Sequence, residues 1–296
     1  MIFLSIIVTT YGDSEGIRQI QLKYKNASTL LSGRVELIIV NDNPTEIFNP
    51  IISEVTLINN KNNVGEASSW QVGVNAAQGK LITLLADDDQ ISFPDLVKTI
   101  NQISQDKQHS LYIGNYQLTN SDTVSRLSQK YFKLDLFLSF FHNRGFVSLY
   151  CIYEKSFWLQ LDGFRDIHGE KIAIFNEYYI LYSLVDLKIK NVKFVDYVVS
   201  VTVDENSFSA SNTDAELVNN AAMKMLKYVN QVRPPNTVGQ FIAYWLLEFR
   251  IYREILSTMR RAGLSRQPIS QISYMRTRLV SVGYLMFLIY RMLKKC

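Results

Sequence analysis

Asp87, Asp88 and Asp89 stand in a row at the end of the apolar run Leu81-Ile82-Thr83-Leu84-Leu85. Adjacent carboxylates repel one another strongly at short range, and a fold that keeps them together usually supplies a cation. A hard divalent ion shared between protein carboxylates and substrate phosphates is the simplest such partner. The competing reading is a solvated loop that caps the following helix, but a cap needs one acid rather than three. The apolar run is bounded by Gly79-Lys80 on one side and by the acids on the other. It reads as a buried strand that delivers its charges to the carboxyl edge of a sheet, where open α/β sheets bind ligands.

The elements needed to position those acids are legible along the first half of the chain. Apolar strands are expected at 4–9, 35–41, 55–59 and 81–85, with helical stretches after Asp13 and over 65–77. Alternation of this kind implies a parallel sheet with right-handed crossovers. Pro94-Asp95 opens a further helix over 96–104, because proline is tolerated in a first turn and acid favours that end. Segments 111–114, 148–153 and 192–203 are additional strand candidates. The polar stretch 204–214 marks a boundary, so a first domain over 1–205 and a helical region over 206–296 are expected.

Composition narrows the class. Cys151 and Cys296 are too few for a disulfide framework, and His109, His142 and His168 lack metal-ligand spacing. Residues 2–8 run straight into apolar sequence without a charged leader, so a cytoplasmic protein is expected. The net charge of +4 is unevenly spread: residues 241–296 hold ten Lys/Arg and two Glu, net +8, leaving −4 for the rest. Within that basic segment, 279–290 is a run of twelve uncharged residues, too short to span a bilayer core, which takes about 20 in a helix. It suits either the cytoplasmic surface of a membrane, as a peripheral contact, or packing on the core or on a second copy in a homo-oligomer. Nucleic acid is disfavoured, because the aromatic residues there follow helical packing rather than a stacking platform.

Two common nucleotide patterns are missing. No two glycines are separated by a single residue, which excludes the dinucleotide fingerprint. The stretch from Gly73 to Lys80 has one residue too many for a phosphate-binding loop, and Leu81 where Ser or Thr should hold magnesium.

Ordered blocks in the chain resemble glycosyltransferase family 2, the nucleotide-sugar transferases of the GT-A fold that build bacterial surface polysaccharides. Ser5-Ile6-Ile7-Val8-Thr9-Thr10-Tyr11-Gly12 is similar to the family's opening strand, and Glu36 to Asn43 to its second strand, which ends in paired Asp. Asn63-Val64-Gly65 and the block from Gly79 to Asp89, followed by Pro94, resemble the approach to its metal motif. The likeness covers residues 3–105 well and 145–205 loosely. It implies an α/β GT-A fold with a mostly parallel central sheet, plus a C-terminal helical appendage.

The resemblance also implies roles. Thr9, Thr10 and Tyr11 would line base and ribose, and Asp42 would accept a hydrogen bond from the base. Asn63 and Gly65 belong to the same nucleotide-sugar pocket. Asp88 and Asp89 would face the sugar-nucleotide and Mg²⁺ or Mn²⁺, with Asp87 as a further metal ligand or a support. Ala86 stands where the family has its first acid, and Trp70 where it often has a basic residue. Asp162-Gly163-Phe164 is similar to the block before the catalytic acid, which makes Glu177 the expected base, with Asp166, His168 and Glu170 in reserve. Trp158 is expected either on a sugar face or in the core, and Asp204 or Glu205 as a late contact. The activity implied is inverting transfer of a sugar, UDP-linked by family frequency, to a hydroxyl of a glycan or lipid-linked acceptor. Two readings compete with it. A sugar-1-phosphate nucleotidyltransferase would need a Gly-rich loop that residues 10–13 lack. A catalytically inactive carbohydrate-binding or scaffold protein of the same fold is kept open by Ala86, Asn176 and Trp70.

Overall fold

The computed structural model describes residues 2–119, 124–125, 151–161, 180, 192–202, 219–225, 247–248, 251, 257–260 and 263. Four apolar runs form strands β1 (Leu4–Thr10), β2 (Val35–Asn41), β3 (Val55–Asn59) and β4 (Leu81–Ala86). They lie parallel in the order β3-β2-β1-β4. Near-continuous apolar sequence in β1, β2 and β4 is what strands covered on both faces require.

Helices supply that cover. α1 (Glu15–Asn26) starts at Ser14, whose hydroxyl accepts from the Ile17 N–H, and ends with Lys23 and Lys25 against its carbonyl terminus. The short α2 (Ser28–Leu31) follows. α3 (Glu66–Ala76) buries Ala67, Trp70 and Val74, and α4 (Phe93–Ile103) is capped by Ser92 with Pro94 in its first turn. Ile17, Ile20, Leu96 and Ile100 pack with Leu4, Ile6, Val8, Leu37 and Ile39 on one face of the sheet. On the alternate residues Ile7 and Val40, α3 approaches so closely that a Cβ on Gly73 would overlap the Ile7 side chain. Strand alternation thus sorts β1 and β2 between two helical layers.

Beyond β4 the sheet changes character. β5 (Gln90–Ile91) follows the acidic run directly, and β6 (Leu111–Leu118), β7 (Val124–Ser125), β8 (Cys151–Glu154) and β9 (Val192–Val201) complete nine strands among the described residues. β8 is antiparallel to β4 and β6, β9 is parallel to β6, and β5 is antiparallel to β9. The parallel ladders are the long ones. β5 is two residues long and carries no pattern that sequence alone reveals, and β6 runs four residues past its expected end because β9 lies beside it. The short α5 (Lys155–Trp158) follows β8. Trp158 is core: it is buried edge-on against Tyr153 with ring centroids 4.8 Å apart.

The chain divides into two compact units, Met1–Asp204 and Glu205–Cys296. In the second, residues 219–225, 247–248, 251 and 257–260 are helical, while the run 279–290 lies outside the described residues. Among the described residues no helix is long and apolar enough to cross a membrane.

Candidate functional site

The acidic run forms a tight turn at the carboxyl end of β4, closed by the Asp89 N–H donating to the Ala86 carbonyl at 3.2 Å. A turn points its successive side chains in different directions, and the three acids separate accordingly. Asp87 turns toward α1, where the Thr10 hydroxyl lies 2.7 Å and the Ser14 hydroxyl 3.1 Å from its Oδ2. Thr10 also lies 2.9 Å from the Gly12 carbonyl, so its single proton serves one acceptor at a time. Asp89 turns inward and is buried, its Oδ1 accepting from the Thr202 N–H at 3.2 Å. The Thr202 hydroxyl donates to the Asp88 carbonyl at 2.7 Å. Asp88, at the tip, is exposed. Repulsion within the triplet is therefore relieved first by divergence.

Gly16 holds this arrangement together. It sits in the first turn of α1, and a Cβ there would overlap the Asp87 carbonyl oxygen. Only a residue without a side chain lets the helix start touch the turn. Sequence reading passed over it, together with Ser14 and Thr202. A glycine one position inside a helix start was an available signal for Gly16; nothing local marked Thr202.

The other end of this sheet edge is built around Asp42, just past β2. Its Oδ1 accepts from Asn60 Nδ2 at 2.9 Å and from the Val64 N–H at 2.8 Å, and its Oδ2 from the Gly65 N–H at 2.7 Å. The Asp42 N–H donates to the Thr10 carbonyl at 2.9 Å, tying the exits of β2 and β1. This is more than a turn-forming aspartate, since it also holds the start of α3. Beside it, Asn63 is half-buried, and its Oδ1 finds no hydrogen-bond partner among the described residues. Thr9 and Thr10 are buried at the end of β1, and Tyr11 is 64 % exposed.

Between the two ends lies Glu66, the first residue of α3. Burial pushes its carboxyl up to about 7, and repulsion from Asp87, Asp88 and Asp89 adds to the shift. Read from sequence, a glutamate in a first helical turn is a dipole-stabilised surface acid. Trp70, one turn further along α3, is 2 % exposed. Among the described residues no group of three or more His, Cys, Asp or Glu side chains is placed to hold a metal ion by itself. The donor chemistry still suits a hard divalent ion. The acids are all carboxylates, Asp88 is exposed, and their summed charge helps to keep a proton on Glu66. Glu177, Asp166, His168, Glu170, Asn176, Asp204 and Glu205 lie outside the described residues.

The model of the glycosyl transferase family 2 matches residues 5–159, which is more than half of the chain. The chain belongs to glycosyl transferase family 2. This family-2 chain is also similar in fold to solved structures of S. aureus TarS. Residues 1–349 of TarS in complex with UDP-GlcNAc align with a TM-score of 0.58 at 16% identity, covering 88% of this chain and 75% of that one. The same portion in complex with UDP gives 0.52 at 15%, covering 90% and 74%. The likeness shows a GT-A fold with a mixed central sheet. A glycosyltransferase, GlyG of Streptococcus pneumoniae serotype 4, is 29% identical over 89 residues, covering 28% of this chain and 29% of that protein. The match thus spans less than a third of that relative.

Proposed function

We propose that this family-2 chain is an inverting glycosyltransferase that moves a sugar from a nucleoside-diphosphate donor, UDP-linked in the favoured case, to a hydroxyl of a glycan or lipid-linked acceptor. The observation that carries this reading is the pairing, along one edge of four parallel strands, of a preorganised acceptor at Asp42 with an exposed acid at Asp88. One end suits a base and the other a diphosphate with its counter-ion. The UDP-GlcNAc and UDP bound by TarS, which shares the fold, support the choice of donor class.

In this reading Asp42 accepts from the base through its remaining lone pair, and Asn63 Oδ1, buried without a partner among the described residues, takes a further donor from the nucleotide. Thr9, Thr10, Tyr11 and Gly65 line the same pocket. Asp88 and Asp89 hold Mg²⁺ or Mn²⁺, with Asp87 behind them fixing the turn. When bound, the ion supplies positive charge against the diphosphate as it leaves. Glu177 removes the proton of the acceptor hydroxyl, so that a single in-line displacement inverts the anomeric carbon. The basic C-terminal region places the enzyme at the cytoplasmic face of a membrane, where surface polysaccharide is assembled.

Incubation with a panel of nucleotide sugars, with and without Mn²⁺, and measurement of nucleoside diphosphate release tests the proposal. Metal-dependent release from one donor is the expected result. Silence across the panel, with no metal-dependent nucleotide binding, defeats it. Loss of vesicle association on deleting residues 270–296 is the matching expectation for the tail, and unchanged association overturns that part.

A further inference from the structure

Asn41 is the last residue of β2 and is fully buried. It precedes Asp42, so its side chain leaves the strand on the opposite side. Its Oδ1 accepts from the Gly12 N–H and the Asn43 N–H, both at 3.0 Å. Its Nδ2 donates to the Glu46 carbonyl and to Asn59 Oδ1, both at 2.8 Å, with the Asn43 carbonyl a longer third acceptor at 3.3 Å. Two backbone donors on one side and carbonyl acceptors on the other fix which way the amide is turned. One side chain therefore ties the loop after β1, the loop after β2 and the last residue of β3.

We infer that Asn41 is a positioning residue for nucleotide recognition: its buried amide sets the gap between Tyr11 on one strand exit and Asp42 on the next. The inference rests on the reading of this edge as a nucleotide-sugar pocket. Gly12 adopts a left-handed φ of 109°, and the Glu46 carboxylate covers it while accepting from the Asp13 N–H at 3.2 Å. The segment that carries Tyr11 is thus clamped by Asn41 on one side and by Glu46 on the other, and Asn41 also holds Glu46 through its backbone carbonyl.

No other short side chain does this. An amide offers two N–H donors and an acceptor oxygen in one plane. Aspartate, the residue type that the family resemblance places here, would keep the two bonds to Gly12 and Asn43. It would also set a carboxylate against the Glu46 carbonyl and Asn59 Oδ1, which then face it without a proton between them. The chain therefore commits Asn41 to structure at the pocket and leaves acceptance of the base's hydrogen bond to Asp42.

Two measurements decide the matter. Amide hydrogen exchange on the wild-type chain should show slow exchange at Gly12 and Asn43 although both lie in loops. Asn41→Ala should speed both by about tenfold or more while leaving α1 unchanged. Nucleotide titrations on Asn41→Asp, at a temperature where circular dichroism shows it folded, should lower the ratio of affinities for UDP over GDP and ADP by about tenfold, because a displaced Tyr11 no longer fixes the base against Asp42. A residue that served stability alone would lower the melting temperature and leave that ratio unmoved. Unprotected Gly12 and Asn43 amides in the wild type, or a folded Asn41→Asp with wild-type selectivity, overturn the inference. A wild-type chain that binds no nucleotide defeats the functional reading and the pocket role with it, while the exchange data still judge the tie between strand exits.

Discussion

Asp42 and Asp88 present the same functional group at two ends of one sheet edge, in opposite surroundings. Asp42 is buried, and three N–H donors fix its orientation before any ligand arrives. Asp88 is exposed at the tip of a turn whose backbone is held from outside, through Thr202 and through the bonds of its neighbours. In the proposed reading the first carboxylate serves discrimination, since a fixed acceptor cannot adapt to the wrong donor. The second stands in solvent at the turn tip, within reach of the ion and substrate proposed for it.

Replacing either aspartate or the groups that position them should expose this difference. Asp42→Ala should have the largest effect on stability, about 3 kcal/mol or more, because it leaves two backbone N–H groups and the Asn60 amide without their acceptor. Urea unfolding measures it, and a loss below 1 kcal/mol would place Asp42 among ordinary turn residues. Gly16→Ala follows at about 2 kcal/mol, since the new Cβ forces α1 away from the Asp87 backbone. Nucleotide binding should weaken in parallel as the turn shifts. Thr10→Val should cost about 1.5 kcal/mol through the lost bond to a charged acceptor, and Thr10→Ser should recover most of it.

Glu66 gives a smaller, pH-dependent signal. Its folded carboxyl is raised from the ordinary glutamate range to about 7, so between those values the folded chain binds more protons than the unfolded one. Stability in metal-free buffer should therefore fall as pH rises across that window, and Glu66→Gln should flatten the trend. A stability that rises with pH over the same range in the wild type, unaltered by Glu66→Gln, would contradict the charge coupling between α3 and the turn. Asp88→Ala should change stability least, within about 0.5 kcal/mol, because its side chain is exposed at the turn tip. It should nonetheless abolish metal-dependent nucleotide binding measured by calorimetry. Retained binding would move the ion to Asp89 and Asp87.

The ease of reading these regions from sequence differed for physical reasons. β1, β2 and β4 were legible because strands covered on both faces need long apolar runs, and the acidic triplet was legible because its composition is rare. β5 was not, since two residues carry no period. Asp42 and the triplet could be named as candidates for a site, but the divergence of Asp87, Asp88 and Asp89 depends on a turn bond from Asp89 to Ala86 and on Thr202, 113 residues further along. Glu66 escaped because its local setting, an acid in the first turn of a helix, is the commonest place for a glutamate with no special role. Only the fold brings it near three other acids. Trp158 shows the reverse: a residue type suited to sugar stacking is spent on the core.

The adjacency of Asn41 and Asp42 constrains folding as well as recognition. β2 is an inner strand, paired in register from Val35 against Leu4 to Asn41 against Thr10. A slip of one residue would exchange every inward and outward side chain. A slip that set Asp42 in the place of Asn41 would also bring its carboxylate into the cradle made for the amide, opposite the Glu46 carbonyl and Asn59, and take it away from the N–H donors of Val64 and Gly65. Hydrophobic alternation in the run Leu37-Ile38-Ile39-Val40 distinguishes the two registers weakly, because both faces are apolar. The polar pair at its end distinguishes them strongly, so the residues that would shape the proposed pocket also act as the alignment mark for the strand that carries them.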